Sequence, residues 1–166
     1  MKRLLRIGAL ASALALPLAS LGGCATVPAQ AYPEAASFDP SLDAGALVEN
    51  AMARARADGK KVLLVMGANW CHDSRALAGW LGTPRFRQLV SEKYELAFVD
   101  VGTPQTGNGR NLDIARRFGI EVKATPTVLI LSSTGELLNA DTAESWNNAS
   151  TRSEAEIYDE LAGAAG

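Results

Sequence analysis

Hydrophobic and polar positions follow two different periods after residue 40, and this pattern predicts an α/β protein. Asp39-Pro40 can serve as the N-cap and first residue of a helix, in which apolar residues recur at helical spacing from Leu47 to Ala55. Gly59 is expected to end that helix. The continuous apolar run from Val62 to Met66 then predicts a strand that is covered on both faces.

The later segments continue the alternation of helices and strands. They are, in order, a helix over 73–81, a helix from Pro84 to Tyr94, a strand from Leu96 to Val101, a polar loop from Gly102 to Gly109, a short helix around Ile114 ended by Gly119, a strand, turn and strand from Thr127 to Leu138, a polar loop from Asp141 to Arg152, and a last helix with a Ser153–Glu156 capping box. The order α-β-α-β-α-β-β-α predicts a mostly parallel sheet to which a terminal hairpin adds antiparallel strands.

Composition and charge narrow the class of protein. The 166 residues are 48% hydrophobic and 20% charged, which fits one globular domain plus an N-terminal segment. The formal net charge is −2, and no basic cluster occurs after the first six residues. These values argue against a nucleic-acid-binding protein.

The N-terminus has the pattern of a targeting segment. Lys2, Arg3 and Arg6 precede an apolar stretch from Ile7 to Leu18 that is shorter than the roughly 20 residues of a membrane-spanning helix. Leu21-Gly22-Gly23-Cys24 resembles the bacterial lipobox, where a lipoprotein signal peptide is cut and the cysteine is diacylated. Ordinary secretion and an uncleaved anchor are the alternatives.

The resemblance to a lipoprotein implies three parts: a signal peptide over 1–23, a flexible tether over 24–40 that starts at lipidated Cys24, and a domain over 41–166. The alternative for the tether is an extra N-terminal element packed on the domain. Ala25 is not the Asp that often retains lipoproteins in an inner membrane. The expected location is therefore the cell envelope, with an anchor in the outer membrane facing the periplasm.

Cys71 is the candidate reactive residue. It follows the first predicted strand and opens a predicted helix, where unpaired backbone N–H groups and the helix dipole favour a thiolate. Ser74 takes the place of the second cysteine in a Cys-x-x-Cys pair. If Cys24 is bonded to lipid, Cys71 is left alone, and a free cysteine in an oxidising compartment is a liability unless it is used or shielded. The alternative is a buried, inert cysteine.

Four short motifs resemble the thioredoxin superfamily, in the right order and over the stretch from Ser41 to Gly163. They are Ala68-Asn69-Trp70-Cys71 before the active-site helix, Phe118-Gly119-Ile120 at the end of the intervening helix, Thr125-Pro126-Thr127 at the cis-proline segment, and Thr134-Gly135-Glu136 at the hairpin turn. The resemblance implies a thioredoxin-like three-layer α/β/α sandwich with a central mixed sheet. It also implies a cis-proline loop at Pro126.

The same resemblance implies a reaction. Cys71 would attack a disulfide, but Ser74 cannot resolve the mixed disulfide, although its hydroxyl can donate a hydrogen bond to the thiolate. Val65 stands where thioredoxins carry a buried acid that serves proton transfer. The expected function is an envelope thiol–disulfide oxidoreductase or isomerase that acts on protein thiols or disulfides and needs an external resolving thiol.

The neighbours of Cys71 have two interpretations each. Trp70 either shields the thiol or offers a flat contact for a partner, and His72 either stabilises the thiolate or is an exposed first-turn residue. Thr125 and Pro126 are expected to bind a substrate peptide as an added strand. No cofactor or metal is expected, because the consecutive residues Cys71, His72 and Asp73 cannot easily converge on one ion.

Two other functions remain open at this point. The first is a non-catalytic binding module that uses the groove between Trp70 and Pro126. The second is a glutathione-dependent monothiol glutaredoxin-like protein, whose usual Cys-Gly-Phe-Ser motif differs from this chain at His72 and Asp73.

Overall fold

The computed structural model describes residues 32–166. The predicted signal peptide, Cys24 and the first part of the predicted tether lie outside the described residues. The helices are α1 (Ala44–Asp58), α2 (His72–Leu81), α3 (Pro84–Lys93), α4 (Leu112–Arg116) and α5 (Glu154–Ala165). The strands are β1 (Lys61–Gly67), β2 (Tyr94–Asp100), β3 (Gly102–Thr103), β4 (Asn108–Gly109) and β5 (Thr127–Leu131), and 3-10 helices span Pro104–Thr106 and Ser145–Thr151.

Strand β1 lies at the centre of a three-stranded mixed sheet. It pairs in parallel with β2, from Lys61 opposite Tyr94 to Gly67 opposite Asp100. It pairs antiparallel with β5, and this register places Met66 opposite Thr127. Strands β3 and β4 form a small separate antiparallel pair between β2 and α4.

Side chains of β1 point alternately into two hydrophobic cores. Leu63 and Val65 pack with residues of α2, α3, α5 and the second 3-10 helix. Leu64 and Met66 face the other way and pack with residues of α1 and α4. Helices therefore cover both faces of the sheet, and the predicted three-layer α/β/α sandwich is confirmed.

The first helix begins later than the sequence predicts. Its N-cap is Asp43, whose carboxylate accepts the N–H of Ala46 at 3.0 Å. Asp39 instead accepts hydrogen bonds from the N–H and hydroxyl of Ser41, which form a turn before the helix. The predicted start at Asp39-Pro40 is therefore wrong by four residues. Gly59 ends the helix as predicted, with a left-handed φ of 68°.

The terminal hairpin has one regular strand, β5, and its predicted second strand does not form in the described residues. Beyond β5, pairing is limited to a bridge between Leu131 and Leu137. Asn139 explains the difference, because its side-chain amide accepts the Ile130 N–H at 2.8 Å and donates to the Val128 carbonyl at 2.9 Å. One side chain thus occupies backbone positions that a longer second strand would have filled.

Two segments predicted as loops contain regular structure. The stretch from Gly102 to Gly109 holds the β3–β4 pair and a short 3-10 helix. The polar segment from Asp141 to Arg152 includes the 3-10 helix Ser145–Thr151, in which Trp146 is completely buried. Burial of this indole fixes a segment that is otherwise polar, and Trp146 is therefore a packing residue.

Residues 32–39, here called the strap, pack on the domain. The sequence predicts a flexible tether through residue 40, whereas Phe38 is completely buried and its ring meets Phe98 edge-on at 5.3 Å. The Ala35 N–H donates to the Arg75 carbonyl of α2 at 3.0 Å. The strap is therefore part of the folded unit. Within residues 32–166, no helix has both the length and the apolar character needed to cross a bilayer.

Replacing Gly79 by Ala should destabilise the protein by about 1–3 kcal/mol, because the added Cβ would overlap the backbone carbonyl of Pro33 and push the strap off α2. Gly163→Ala is the matched control, since a Cβ there meets open space on α5. That change should be neutral or stabilising by up to about 1 kcal/mol, as expected for Gly→Ala in a helix. Chemical denaturation measures both, and equal stability of the two variants would contradict the packing of the strap.

Candidate active site

Cys71 lies where the chain turns from β1 into α2. It is the N-cap residue of α2, with extended backbone angles, and its side chain forms no cap hydrogen bond. Its N–H donates to the Ala68 carbonyl at 3.1 Å, and its carbonyl accepts the Arg75 N–H at 3.1 Å. The residue is 7% exposed. The first turn of α2 therefore begins directly at a nearly buried sulfur, as the sequence predicts.

The Thr125–Pro126 loop forms the other side of the site. The peptide bond between these residues is cis, as predicted, and both residues are buried. The Cys71 thiol donates to the Thr125 carbonyl oxygen, with 3.2 Å between Sγ and oxygen. The structure thus brings together two predicted site motifs that are 54 residues apart in the chain.

Ser74 sits one turn into α2 and is completely buried. Its hydroxyl oxygen accepts the Ala68 N–H at 3.4 Å, and a Cβ on Gly67 would lie only 2.7 Å from it. Within residues 32–166, Cys71 is not among its hydrogen-bond partners. In this structure, Ser74 ties α2 to the end of β1 and does not make the donation to the thiol that its position in the motif suggests.

Trp70 is half exposed beside the thiol. Its indole N–H donates to the Gly102 carbonyl at 2.9 Å, which fixes the ring against the β3–β4 pair. Asp100 holds the same turn by accepting the Gly102 N–H at 3.0 Å, and it forms an ion pair with Arg110 at 3.3 Å. With 53% of the residue exposed, Trp70 presents apolar surface next to Cys71.

His72 and Asp73 form a pair in the first turn of α2. His72 Nε2 lies 3.3 Å from Asp73 Oδ2, and the His72 side chain is 61% exposed. Asp73 is buried, and its other carboxylate oxygen accepts the Ser150 N–H at 2.8 Å. The acid therefore binds the Ser145–Thr151 helix to α2, in addition to occupying a favourable helix N-terminus.

Arg75 is a site residue that the sequence reasoning missed. Its guanidinium donates to the carbonyls of Asn69 and Trp70 at 2.9 and 3.2 Å, and it binds the carboxylate of Glu34 at 3.1 Å. The hydrogen-bonded Glu34 carboxylate raises the pKa of Arg75 above its ordinary value, and burial opposes this effect. The sequence shows an arginine directly after the motif, but it does not show which carbonyl and carboxylate groups the folded chain brings to its guanidinium.

Asn69 is the second missed residue. Its side-chain amide accepts the Phe38 N–H at 3.0 Å and donates to the Phe38 carbonyl at 2.7 Å. The strap thereby pairs with the loop before Cys71 much as a strand would. No group of three His, Cys, Asp or Glu side chains within residues 32–166 is arranged to hold a metal ion.

Comparison with known proteins identifies this architecture. The model of a family described as thioredoxin-like matches residues 43–133, a stretch that contains Cys71, Ser74 and the Thr125–Pro126 loop. The chain belongs to the thioredoxin-like family. The matched stretch begins after the strap.

A solved structure agrees with this assignment. The crystal structure of a disulphide isomerase from Xylella fastidiosa Temecula1 is 31% identical, covers 76% of this chain and 94% of its own, and superimposes with a TM-score of 0.69. The solution structure of a thioredoxin from Thermus thermophilus is 23% identical over 68% of this chain and 79% of its own, with a TM-score of 0.47. No curated protein matches the chain.

This thioredoxin-like chain differs from the family pattern at two positions near the thiol. Val65, where the resemblance implies a buried acid, is completely buried in the apolar core beneath α2. Ser74, where a second cysteine is implied, is likewise buried. Both differences fall in the interior of the site, whereas the chain neighbours Trp70 and His72, on either side of Cys71, are exposed.

Replacing Asp73 by Ala should destabilise the protein by about 1–3 kcal/mol, because the partly buried Ser150 N–H loses its charged acceptor. Asp73→Asn keeps an acceptor oxygen and should cost less. His72→Ala is the control and should change stability by no more than about 0.5 kcal/mol, since it removes an exposed imidazole and leaves the bond between Asp73 and Ser150 in place. Unfolding in urea measures the three variants, and a loss with His72→Ala as large as with Asp73→Ala would refute this account.

Proposed function

We propose that this thioredoxin-like protein is a thiol–disulfide oxidoreductase or isomerase that uses Cys71 as its single nucleophile. The observation that carries the proposal is the position of the Cys71 sulfur, at the start of α2 and 3.2 Å from the Thr125 carbonyl. The likeness to a disulphide isomerase structure at 31% identity supports the same chemistry.

The reaction begins with the thiolate of Cys71. It attacks one sulfur of a substrate disulfide, a new S–S bond joins enzyme and substrate, and the second substrate sulfur leaves as a thiolate. The half-exposed Trp70 and the backbone of Thr125 are placed to contact the polypeptide that carries the disulfide. A substrate strand that displaces the Cys71–Thr125 hydrogen bond would free the sulfur for attack.

Resolution of the mixed disulfide needs another thiol, because Ser74 carries none. In isomerisation, a thiolate of the substrate itself attacks the substrate sulfur, re-forms a disulfide in a new pairing and returns the Cys71 thiolate with no net oxidation. In reduction, an external thiolate attacks the Cys71 sulfur of the mixed disulfide and releases the substrate sulfur as a thiolate; a second external thiolate then attacks the external sulfur now bonded to Cys71, which forms a disulfide of the two external thiols and returns the Cys71 thiolate. Isomerisation leaves the number of disulfide bonds unchanged and so needs no added reductant. It is therefore the activity that suits a single cysteine best.

The proposed location is the cell envelope. The lipobox-like sequence ending at Cys24 supports a lipid anchor, with the domain facing the periplasm. A free catalytic cysteine suits a compartment in which substrates carry disulfides. Labelling of cells with a radioactive fatty acid tests the anchor: the protein should be labelled, the Cys24→Ala variant should not, and an unlabelled wild-type protein would contradict it.

Burial of the sulfur favours a second candidate, a binding module without turnover. Cys71 is only 7% exposed and its thiol already has a hydrogen-bond partner. A protein of this kind would use the surface between Trp70 and Pro126 to hold a partner. The two candidates differ in what they require of the sulfur.

Cys71→Ala should reduce isomerisation of a scrambled disulfide protein to the uncatalysed rate, because no nucleophile remains. Ser91→Ala, on the exposed face of α3, is the control and should keep full activity. Wild-type Cys71 should also react with iodoacetamide in the folded state, because a nucleophile must be reachable by its substrate. Catalysis that survives Cys71→Ala would overturn the proposal. A sulfur that resists alkylation in the folded protein would favour the binding module.

Ser74→Cys should restore resolution within the protein, because position 74 is where the family motif has its second cysteine. Mixed disulfides that accumulate with the wild-type protein should be released faster, and the free variant should form a disulfide between Cys71 and the introduced thiol. Mass spectrometry of acid-quenched reactions measures both species. Unchanged accumulation of mixed disulfides in this variant would mean that position 74 cannot reach the sulfur of Cys71.

A further inference from the structure

The strap is fastened to the loop that carries Cys71. The Asn69 side chain binds both the N–H and the carbonyl of Phe38, at 3.0 and 2.7 Å. The Ala35 N–H binds the Arg75 carbonyl at 3.0 Å, and a Cβ on Gly79 would overlap Pro33. These contacts reach the loop before Cys71 and the α2 helix after it, and the strap that makes them lies in front of the region that the family model covers.

Arg75 connects the strap to the peptide units that precede the sulfur. Its guanidinium donates to the carbonyls of Asn69 and Trp70, and the Trp70 carbonyl belongs to the peptide bond that links Trp70 to Cys71. Glu34 of the strap binds the same guanidinium through Nε and through Nη2, at 3.1 and 3.4 Å. The planar fork of an arginine makes this multiple bonding possible, whereas a lysine has a single nitrogen to share.

The charge of Arg75 matters because burial of Cys71 opposes a negative charge on its sulfur. The ionisable groups on the elements that pack around the thiol are His72, Asp73 and Arg75 on α2, Tyr32, Glu34 and Asp39 on the strap, Asp100 and Arg110 beside the β3–β4 pair, and Glu121 and Lys123 on the loop before Thr125. Arg110 is paired with Asp100 and Lys123 with Glu144. His72 is paired with Asp73.

Arg75 differs from the other cations because it is bonded to the backbone of the Cys71 loop itself. The hydrogen-bonded carboxylate of Glu34 raises the pKa of Arg75 above its ordinary value and keeps the guanidinium charged. The hydrogen bond to the Trp70 carbonyl places this positive charge beside the peptide bond that leads into Cys71, where a cation favours negative charge on the sulfur.

We propose that Arg75, oriented by Glu34 of the strap, is a positioning residue that holds the loop before Cys71 and stabilises the thiolate. The strap is thus a working part of the active site and not only a connection to the N-terminus. The effect on the thiolate holds whether or not the protein turns over substrate. Its consequence for catalysis rests on the proposed function.

The test compares Arg75→Met, Arg75→Lys and the wild type by the ultraviolet absorbance of the thiolate as a function of pH. Subtracting the same protein with Cys71→Ala leaves only the signal of Cys71. Arg75→Met removes the charge and the bonds to the loop, and thiolate formation should move to higher pH by about one unit. Arg75→Lys keeps the charge and should recover a large part of that shift. Arg117→Met, which removes a paired surface arginine after α4, should cause no shift.

Thiolate formation at the wild-type pH in Arg75→Met would overturn this inference, and so would a shift of equal size in Arg117→Met. The comparison is independent of isomerase activity. A wild-type protein that forms its thiolate but does not isomerise disulfides would overturn the proposed function alone. Isomerase rates in Arg75→Met at neutral pH should fall by up to about tenfold, in line with the smaller thiolate fraction.

Discussion

The pairing of β1 with β5 determines where the site can form. Met66, near the end of β1, lies opposite Thr127, the first residue of β5. Because the two strands are antiparallel, the loop that leaves β1 and the loop that enters β5 emerge at the same edge of the sheet. Those loops carry Cys71 and Thr125, which meet at 3.2 Å. A register slip of one residue would turn the side chains of β5 to the opposite face and separate the pair.

Around that contact, some features of the environment of Cys71 favour the neutral thiol and others favour the thiolate. Near-complete burial and the hydrogen bond to Thr125 favour the neutral thiol. The start of α2 and the guanidinium of Arg75 favour the thiolate. The thiol is therefore protected while its carbonyl partner is in place, and in the proposed reaction a substrate strand that takes the Thr125 carbonyl frees the sulfur. The strap adds to this balance, because it supplies the carboxylate that orients Arg75.

Much of the fold follows from signals that are local in sequence. The apolar run of β1, the left-handed Gly59 and the Ser153–Glu156 capping box all formed as predicted, since each depends on neighbouring residues. The position of Cys71 at a helix start and the cis bond before Pro126 were also predictable from the motif resemblance.

The features that sequence reasoning missed depend on partners distant in the chain. Asn69 binds Phe38 across 31 residues, and Asp73 binds Ser150 across 77. Neither pair leaves a periodic pattern, and a strap rich in alanine and proline looks the same whether it is free or packed. The shortened hairpin has a similar cause. The side-chain amide of Asn139 makes hydrogen bonds to β5 that the backbone of a longer second strand would have made, and the sequence does not show which backbone groups an Asn side chain will bind.

The two departures from the family pattern are linked through the packing beneath α2. In a dithiol site, a buried acid can take part in proton transfer when the second cysteine attacks, and an acid without that task costs desolvation energy. Here Val65 packs in the apolar core, and the Ser74 hydroxyl is turned to the Ala68 N–H. Without a buried acid at position 65 and a second thiol at position 74, the interior of the site cannot resolve a mixed disulfide. Under the proposed function, the lifetime of a mixed disulfide at Cys71 is therefore set by the arriving thiol, which gives a substrate time to exchange its own sulfurs.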